Sequence, residues 1–163
     1  MDEIEAHTLF VQWSEAHYKR GVFFDADFAP DDEANDWVEA LVVGAVAAMT
    51  NAGTCLTFAG TKVWGGKVYA VLNGDEVMIR DVESAAADEA IPELFGHLDQ
   101  IAAAQGQPER WNIFYDGDPA GMAYFVAPAE LVASAELDVR DLDVGATWFR
   151  VTKTPDGYTL SPK

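Results

Sequence analysis

The chain is short of positive charge, of cysteine and of long apolar runs, and each shortage removes a class of protein. Only 10 Lys+Arg stand against 28 Asp+Glu in 163 residues, a formal net charge of −18. A field of that sign repels phosphate backbones and anionic headgroups, so neither nucleic acid nor a membrane surface is expected as a partner. The single cysteine, Cys55, excludes an intrachain disulfide and fits a reducing, cytoplasmic compartment. The longest apolar stretch, Ala40 to Met49, is too short to span a bilayer. The acidic start Met1-Asp2-Glu3-Ile4-Glu5 lacks the basic region of a signal peptide. P-loop, G-x-G-x-x-G and G-x-S-x-G motifs are absent.

What is present points to a folded domain. Half of the residues are hydrophobic, with 9 Phe, 5 Trp and 5 Tyr, a load that disordered chains do not carry. The length fits one domain with its own core. The acids are unevenly spread: residues 1–53 hold eleven against two bases, and residues 84–145 hold twelve against two. Residues 54–83 are close to neutral.

Ile4 to Arg20 reads as a helix, with Ala6, Leu9, Phe10, Trp13 and His17 on one stripe and Gly21 as its stop. Val22-Phe23-Phe24 reads as a short strand or a plug under a loop. A second helix falls within Asp25–Asn51. Its start is marked by Pro30 and by Asp31, Asp32 and Glu33, acids that face the positive end of the macrodipole. From Ala40 to Met49 it is apolar all round, the pattern of a buried central helix. The period then changes to that of strands. Thr54–Trp64, Lys67–Leu72 and Glu76–Val82, joined by Gly65-Gly66 and Asn73-Gly74, read as an antiparallel meander. A third helix spans about Glu89 to Gln105. Two strands, Arg110–Tyr115 and Met122–Ala127, flank Asp116-Gly117-Asp118-Pro119. Pro128 to Leu137 reads as a short helix, and Thr147–Thr152 with Tyr158–Ser161 as a closing hairpin. The expected fold is α+β: a single domain over residues 1–163, with an antiparallel sheet packed against three to four helices.

Candidate chemistry is sparse. Asp25, Asp27, Asp31, Glu33 and Asp36 follow a calcium-loop rhythm, but Pro30 and Asp36 stand where the loop needs glycine and a bidentate glutamate. Asp138, Asp141 and Asp143 read as solvated surface. His7 and His17 point in different directions from one helix, His97 reads as solvent-facing, and one thiol supports no zinc spacing. No metal, cofactor or catalytic residue is therefore expected. Cys55, beside Leu56 and Phe58, reads as a buried inert thiol. Asp116 and Asp118, near Tyr115, Trp111 and Tyr124, could frame a small-ligand or enzymatic site, although turn chemistry alone accounts for them. Alternation places Trp111, Ile113 and Tyr115 on one strand face and Asn112 and Phe114 on the other, and Met122, Tyr124 and Val126 opposite Ala123 and Phe125. Both strands are apolar on both faces, so the sheet is covered on both sides or presents an interface. Trp64, at the tip beside Gly65-Gly66, is the residue most expected to be exposed, and tip aromatics anchor protein contacts.

The middle order α-β-β-β-α-β-β-α is similar to that of small acidic secretion chaperones. The resemblance implies a homodimer that binds the unfolded arm of an effector. The first helix and the closing hairpin depart from that pattern. Charge and the lack of catalytic groups favour a different expectation: a non-catalytic, stoichiometric inhibitor, of the immunity-protein kind, that neutralises a basic partner such as a bacterial toxin. Its docking face is expected to draw on Trp64, Tyr115, Asp116, Asp118, Asp31, Asp32 and Glu33.

Overall fold

A computed structural model describes residues 11–25, 34–81, 90–115, 120–130 and 147–162. Helix α1 covers residues 11–16 and runs through a 3-10 turn, Tyr18–Arg20, into strand β1, Gly21–Asp25. Helix α2 is Ala34–Asn51 and α3 is Ala90–Ala104. Strands β2 (Phe58–Trp64), β3 (Lys67–Leu72) and β4 (Asp75–Asp81) lie between them. After α3 come β5 (Arg110–Tyr115), β6 (Ala120–Val126), a helical turn at 128–130, β7 (Thr147–Thr154) and β8 (Gly157–Pro162).

The expected α+β fold is observed, with two antiparallel sheets instead of one. The meander β2-β3-β4 forms a sheet by itself, and a five-stranded sheet runs in the order β1-β6-β5-β7-β8. The ambiguous run Val22-Phe23-Phe24 is strand: β1 pairs with β6 from Gly21 opposite Tyr124 to Asp25 opposite Ala120. Both turns of the meander are tight, and their residues sit at positive φ, with Gly65 at 58° and Gly66 at 75° in one and Asn73 at 50° and Gly74 at 84° in the other. These are the backbone angles that the Gly-Gly and Asn-Gly dipeptides tolerate.

Helices α2 and α3 touch both sheets, so the core lies in a helical layer between two β layers. Its largest buried side chains include Trp111, Phe95, Phe125, Met49 and Leu72. Helix α1 covers the opposite face of the five-stranded sheet, where Trp13 packs edge-on against Tyr124 and Trp148. That sheet is therefore covered on both sides, which explains the doubly apolar β5 and β6. Trp111, Ile113, Ala123 and Phe125 face the α2–α3 layer, while Tyr124, Val126 and Trp148 face α1. Helix α2 differs from expectation: Val38, Leu41, Val42, Ala45, Ala48 and Met49 are buried, but Val43 stays exposed. Two sheets wrap its flanks and leave a strip to solvent, which Ala and Val tolerate at little cost.

Two polar nodes tie the layers. Arg20 donates twice to the Glu130 carboxylate, at 3.0 and 3.1 Å, and Glu130 also accepts the Ala127 N–H at 2.9 Å and, through its carbonyl, the Trp13 indole N–H at 3.1 Å. At the other end, Gln105 accepts from the Cys55 N–H at 2.9 Å and donates to the Cys55 carbonyl at 2.7 Å. Asn73 accepts the Thr57 N–H at 2.9 Å. These contacts hold Cys55 in a solvent-facing link between α2 and β2. The thiol is exposed, contrary to the buried strand position expected, because β2 begins only at Phe58.

Candidate functional site

Of the residues expected to form a docking face, the structure places two. Trp64 ends β2 and is 75% exposed, the most exposed large apolar side chain among the described residues. Tyr115 ends β5, its backbone opposite Gly121 and Thr147 in the five-stranded sheet. Trp64 belongs to the other sheet, so the two residues do not come from one β surface. Asp116, Asp118, Asp31, Asp32 and Glu33 lie outside the described residues, as do Asp27, Asp138, Asp141, Asp143 and His7. The described ranges contain twelve of the 28 acids but eight of the 10 Lys and Arg, so the two sheets and their helices are nearly charge-balanced.

Trp64 belongs to an ordered row. Directly opposed residues share a sheet face. The rows Trp64–Lys67–Asp81 and Lys62–Tyr69–Met78 and the pair Val71–Glu76 therefore lie on one side of the meander. The alternate positions Val68, Ala70 and Leu72 are fully buried against the helices. A bulge between Val68 and Tyr69 turns the consecutive residues Ile79 and Arg80 both inward. The outward side carries Trp64, the exposed Met78 and the half-buried Tyr69 and Val71, framed by a Lys62–Glu76 ion pair.

A second feature was not expected. Strands β5 and β7 pair only from Asn112–Arg150 to Tyr115–Thr147. Below Asn112 they part, and Asp99 of α3 takes over the ladder: its carboxylate accepts the Trp111 N–H at 2.8 Å. The split opens a cleft of about 400 Å³ that runs from α3 into the gap between β5 and β7, lined by Asp99, Trp111, Lys153 and Tyr158 and, from strand positions that alternate with Trp111 and Val151, by Arg110 and Arg150. Burial pushes the Asp99 carboxyl up to about 7, against the opposing pull of the Trp111 hydrogen bond and the Arg110 guanidinium. Arg110 is held in place, its Nη1 donating to the carbonyls of Gln107 and Glu109, each at 2.6 Å.

Tyr158 forms one wall. Its N–H donates to Glu93 at 3.1 Å, and its ring meets His97 edge-on at 5.0 Å. Burial raises its phenol, with Glu93 and Asp99 adding to the rise. His97 is half-buried, not solvent-facing as expected, and burial with Lys153 nearby lowers its pKa. The Tyr158 ring lies directly on Gly96, so closely that a Cβ there would collide with it. Gly96→Ala gains up to about 1 kcal/mol of helix propensity but must displace the ring, at about 1–3 kcal/mol. The expected net result is a loss of roughly 1 kcal/mol in denaturant unfolding. A variant more stable than wild type would contradict this packing.

No family model, curated protein or solved structure matches the chain. Function is therefore read from the site alone. Among the described residues no group of three or more His, Cys, Asp or Glu could hold a metal ion, and no helix is long and apolar enough to cross a membrane. Sequence reasoning missed the cleft because Asp99, Arg110, Arg150 and Lys153 come from three elements at no motif spacing. Only one signal was legible: in so acidic a chain, Arg110, Arg150 and Lys153 cluster in the strands after α3.

Proposed function

We propose that this protein is a non-catalytic binding protein that captures a basic partner protein stoichiometrically, in the manner of an immunity protein neutralising a toxin. The supporting observation is the outward face of the meander. A sheet side that displays Trp64, Tyr69, Val71 and Met78, with no covering layer among the described residues, has the composition of an interface centre, an aromatic anchor among apolar neighbours with an ion pair at the rim. The chain's charge of −18 supplies the long-range attraction for a cationic partner. The exposed free thiol of Cys55 fits a cytoplasmic setting.

The test is affinity capture from the source cells on immobilised wild-type protein and on Trp64→Ala. Wild type is expected to retain one basic protein in equimolar amount at low salt, released by about 0.5 M salt as screening shortens the range of attraction. Trp64→Ala is expected to lose it, since truncating an anchor of this kind costs about 2 kcal/mol or more of binding. Retention that ignores both salt and the substitution would refute the reading. A stable homodimer in sedimentation, dissociated by the same substitution, would replace it with the chaperone-like adaptor.

A further inference from the structure

The cleft between α3 and the parted strands β5 and β7 is on the other sheet from Trp64, and its chemistry runs against the rest of the molecule. The chain offers nearly three acids for every base, yet three of its 10 Lys and Arg line this one cavity. Among the described residues neither Arg150 nor Lys153 has an ion-pair partner. Arg110 spends one nitrogen on two backbone carbonyls. That anchors the guanidinium and leaves its remaining N–H groups free for a ligand. The one carboxyl in the lining, Asp99, is tied to the Trp111 N–H, and burial favours its neutral form. Trp111 is 1% exposed, lines the cleft, and its indole N–H has no hydrogen-bond partner among the described residues. The remaining walls are Gly96, Ala103, Val126, Val151 and the Tyr158 ring, which suit an apolar or aromatic body.

We propose that this cleft is a binding site for a small organic phosphate monoester, with Arg110, Arg150 and Lys153 on the phosphate and Trp111 and Tyr158 beside an aromatic or heterocyclic body. Three unit charges match a dianion better than a single carboxylate. Guanidinium forks fit phosphate oxygens two at a time, and a lysine supplies a point charge beside them. The Tyr158 hydroxyl adds a further donor beside the three cations. The cavity is of the size that small-molecule sites occupy, about 300–1,000 Å³. The binding needs no catalysis and is independent of the meander face.

Isothermal titration calorimetry of the full chain at low ionic strength tests this, with phenyl phosphate, inorganic phosphate and phthalate as probes. Phenyl phosphate is expected to bind saturably at one site, more tightly than either of the others. Arg150→Gln and Lys153→Gln, both at exposed positions, are each expected to weaken it about tenfold or more while leaving thermal unfolding unchanged. No saturable heat with phenyl phosphate up to about 10 mM overturns the site. So does affinity that is equal in wild type and both variants. Phthalate binding as tightly as phenyl phosphate overturns the phosphate assignment, and inorganic phosphate doing so overturns the aromatic body.

Discussion

Asp99→Asn is expected to stabilise the protein increasingly as the pH rises, with the gap to wild type widening by roughly 2–3 kcal/mol between pH 5 and pH 8. The Asp99 carboxyl titrates at an ordinary 3.8 when exposed and at about 7 in the folded chain. Between those values the folded state holds a proton that the unfolded state has released. Stability that depends on this group therefore falls as pH rises through the window, and is constant above about 7. Asparagine keeps an acceptor for the Trp111 N–H and removes the ionisation, so the loss disappears. Two charged or titratable groups act on the same carboxyl, Arg110 on β5 and Tyr158 on β8, while Arg150 and Lys153 on β7 line the cleft it borders. Desolvation outweighs the Arg110 attraction and the hydrogen bond, which fixes the sign. Urea unfolding of both proteins across that pH range measures the gap, and the net charge of the rest of the chain cancels in the difference. Parallel curves would mean that water or a cation reaches Asp99 and holds it ionised.

The effect explains why an acid occupies that position in a sheet. Where β5 loses its neighbour, the Trp111 N–H would be buried without an acceptor, at about 1–3 kcal/mol. Asp99 supplies one. A neutral side chain would do so without titrating. An aspartate here makes the ladder repair pH-dependent near neutrality and places a titratable group on the wall of a cationic cleft.

The fold was largely legible because it follows periodicity. The meander was readable from alternation and two turn dipeptides, and its borders fell within a few residues except at the start of β2, where Thr54 to Thr57 are held by side-chain hydrogen bonds instead of a ladder. Trp64 was legible as exposed because a tip residue beside two glycines has little to pack against. The division into two sheets was not legible, since period-two patterning says which face is apolar and not which strands are neighbours. In the five-stranded sheet β1 inserts beside β6, about a hundred residues later, a pairing that no local signal carries. The cleft was hidden for a related reason. It arises where a pairing ends, at Asn112–Arg150, and strand register is set by tertiary contacts.

The charge pattern carries a similar lesson about scale. A net charge of −18 describes the whole chain, whereas the described sheets and helices hold most of its bases. Global and local fields can then act on different partners. At distances beyond a Debye length, about 10 Å at 0.1 M salt, an approaching molecule responds to the total. Inside the cleft it meets Arg110, Arg150 and Lys153 at close range. Proposals for a cationic macromolecule on the meander face and a small anion in the cleft are therefore electrostatically compatible.

Two tryptophans separate these roles by energetics. Trp111→Ala is expected to cost about 3–5 kcal/mol, the range for removing a large aromatic from a packed core. Its ring lies 4.6 Å from that of Phe95 and 5.4 Å from that of Phe125, joining α3 to the five-stranded sheet. The vacated space would adjoin the cleft, so water can enter and soften the cavity term; that favours the lower half of the range. For a chain of this length the loss lowers the melting temperature by roughly 6–15 °C. Trp64→Ala, by contrast, removes a ring that is 75% exposed and is expected to change stability by less than about 0.5 kcal/mol. Thermal and denaturant unfolding of the two variants beside wild type decide the matter. If Trp64→Ala destabilised as much as Trp111→Ala, Trp64 would be folded onto the domain and could not anchor a partner. If Trp111→Ala were nearly neutral, the α3–sheet interface would be loose and the cleft would lack its rigid wall.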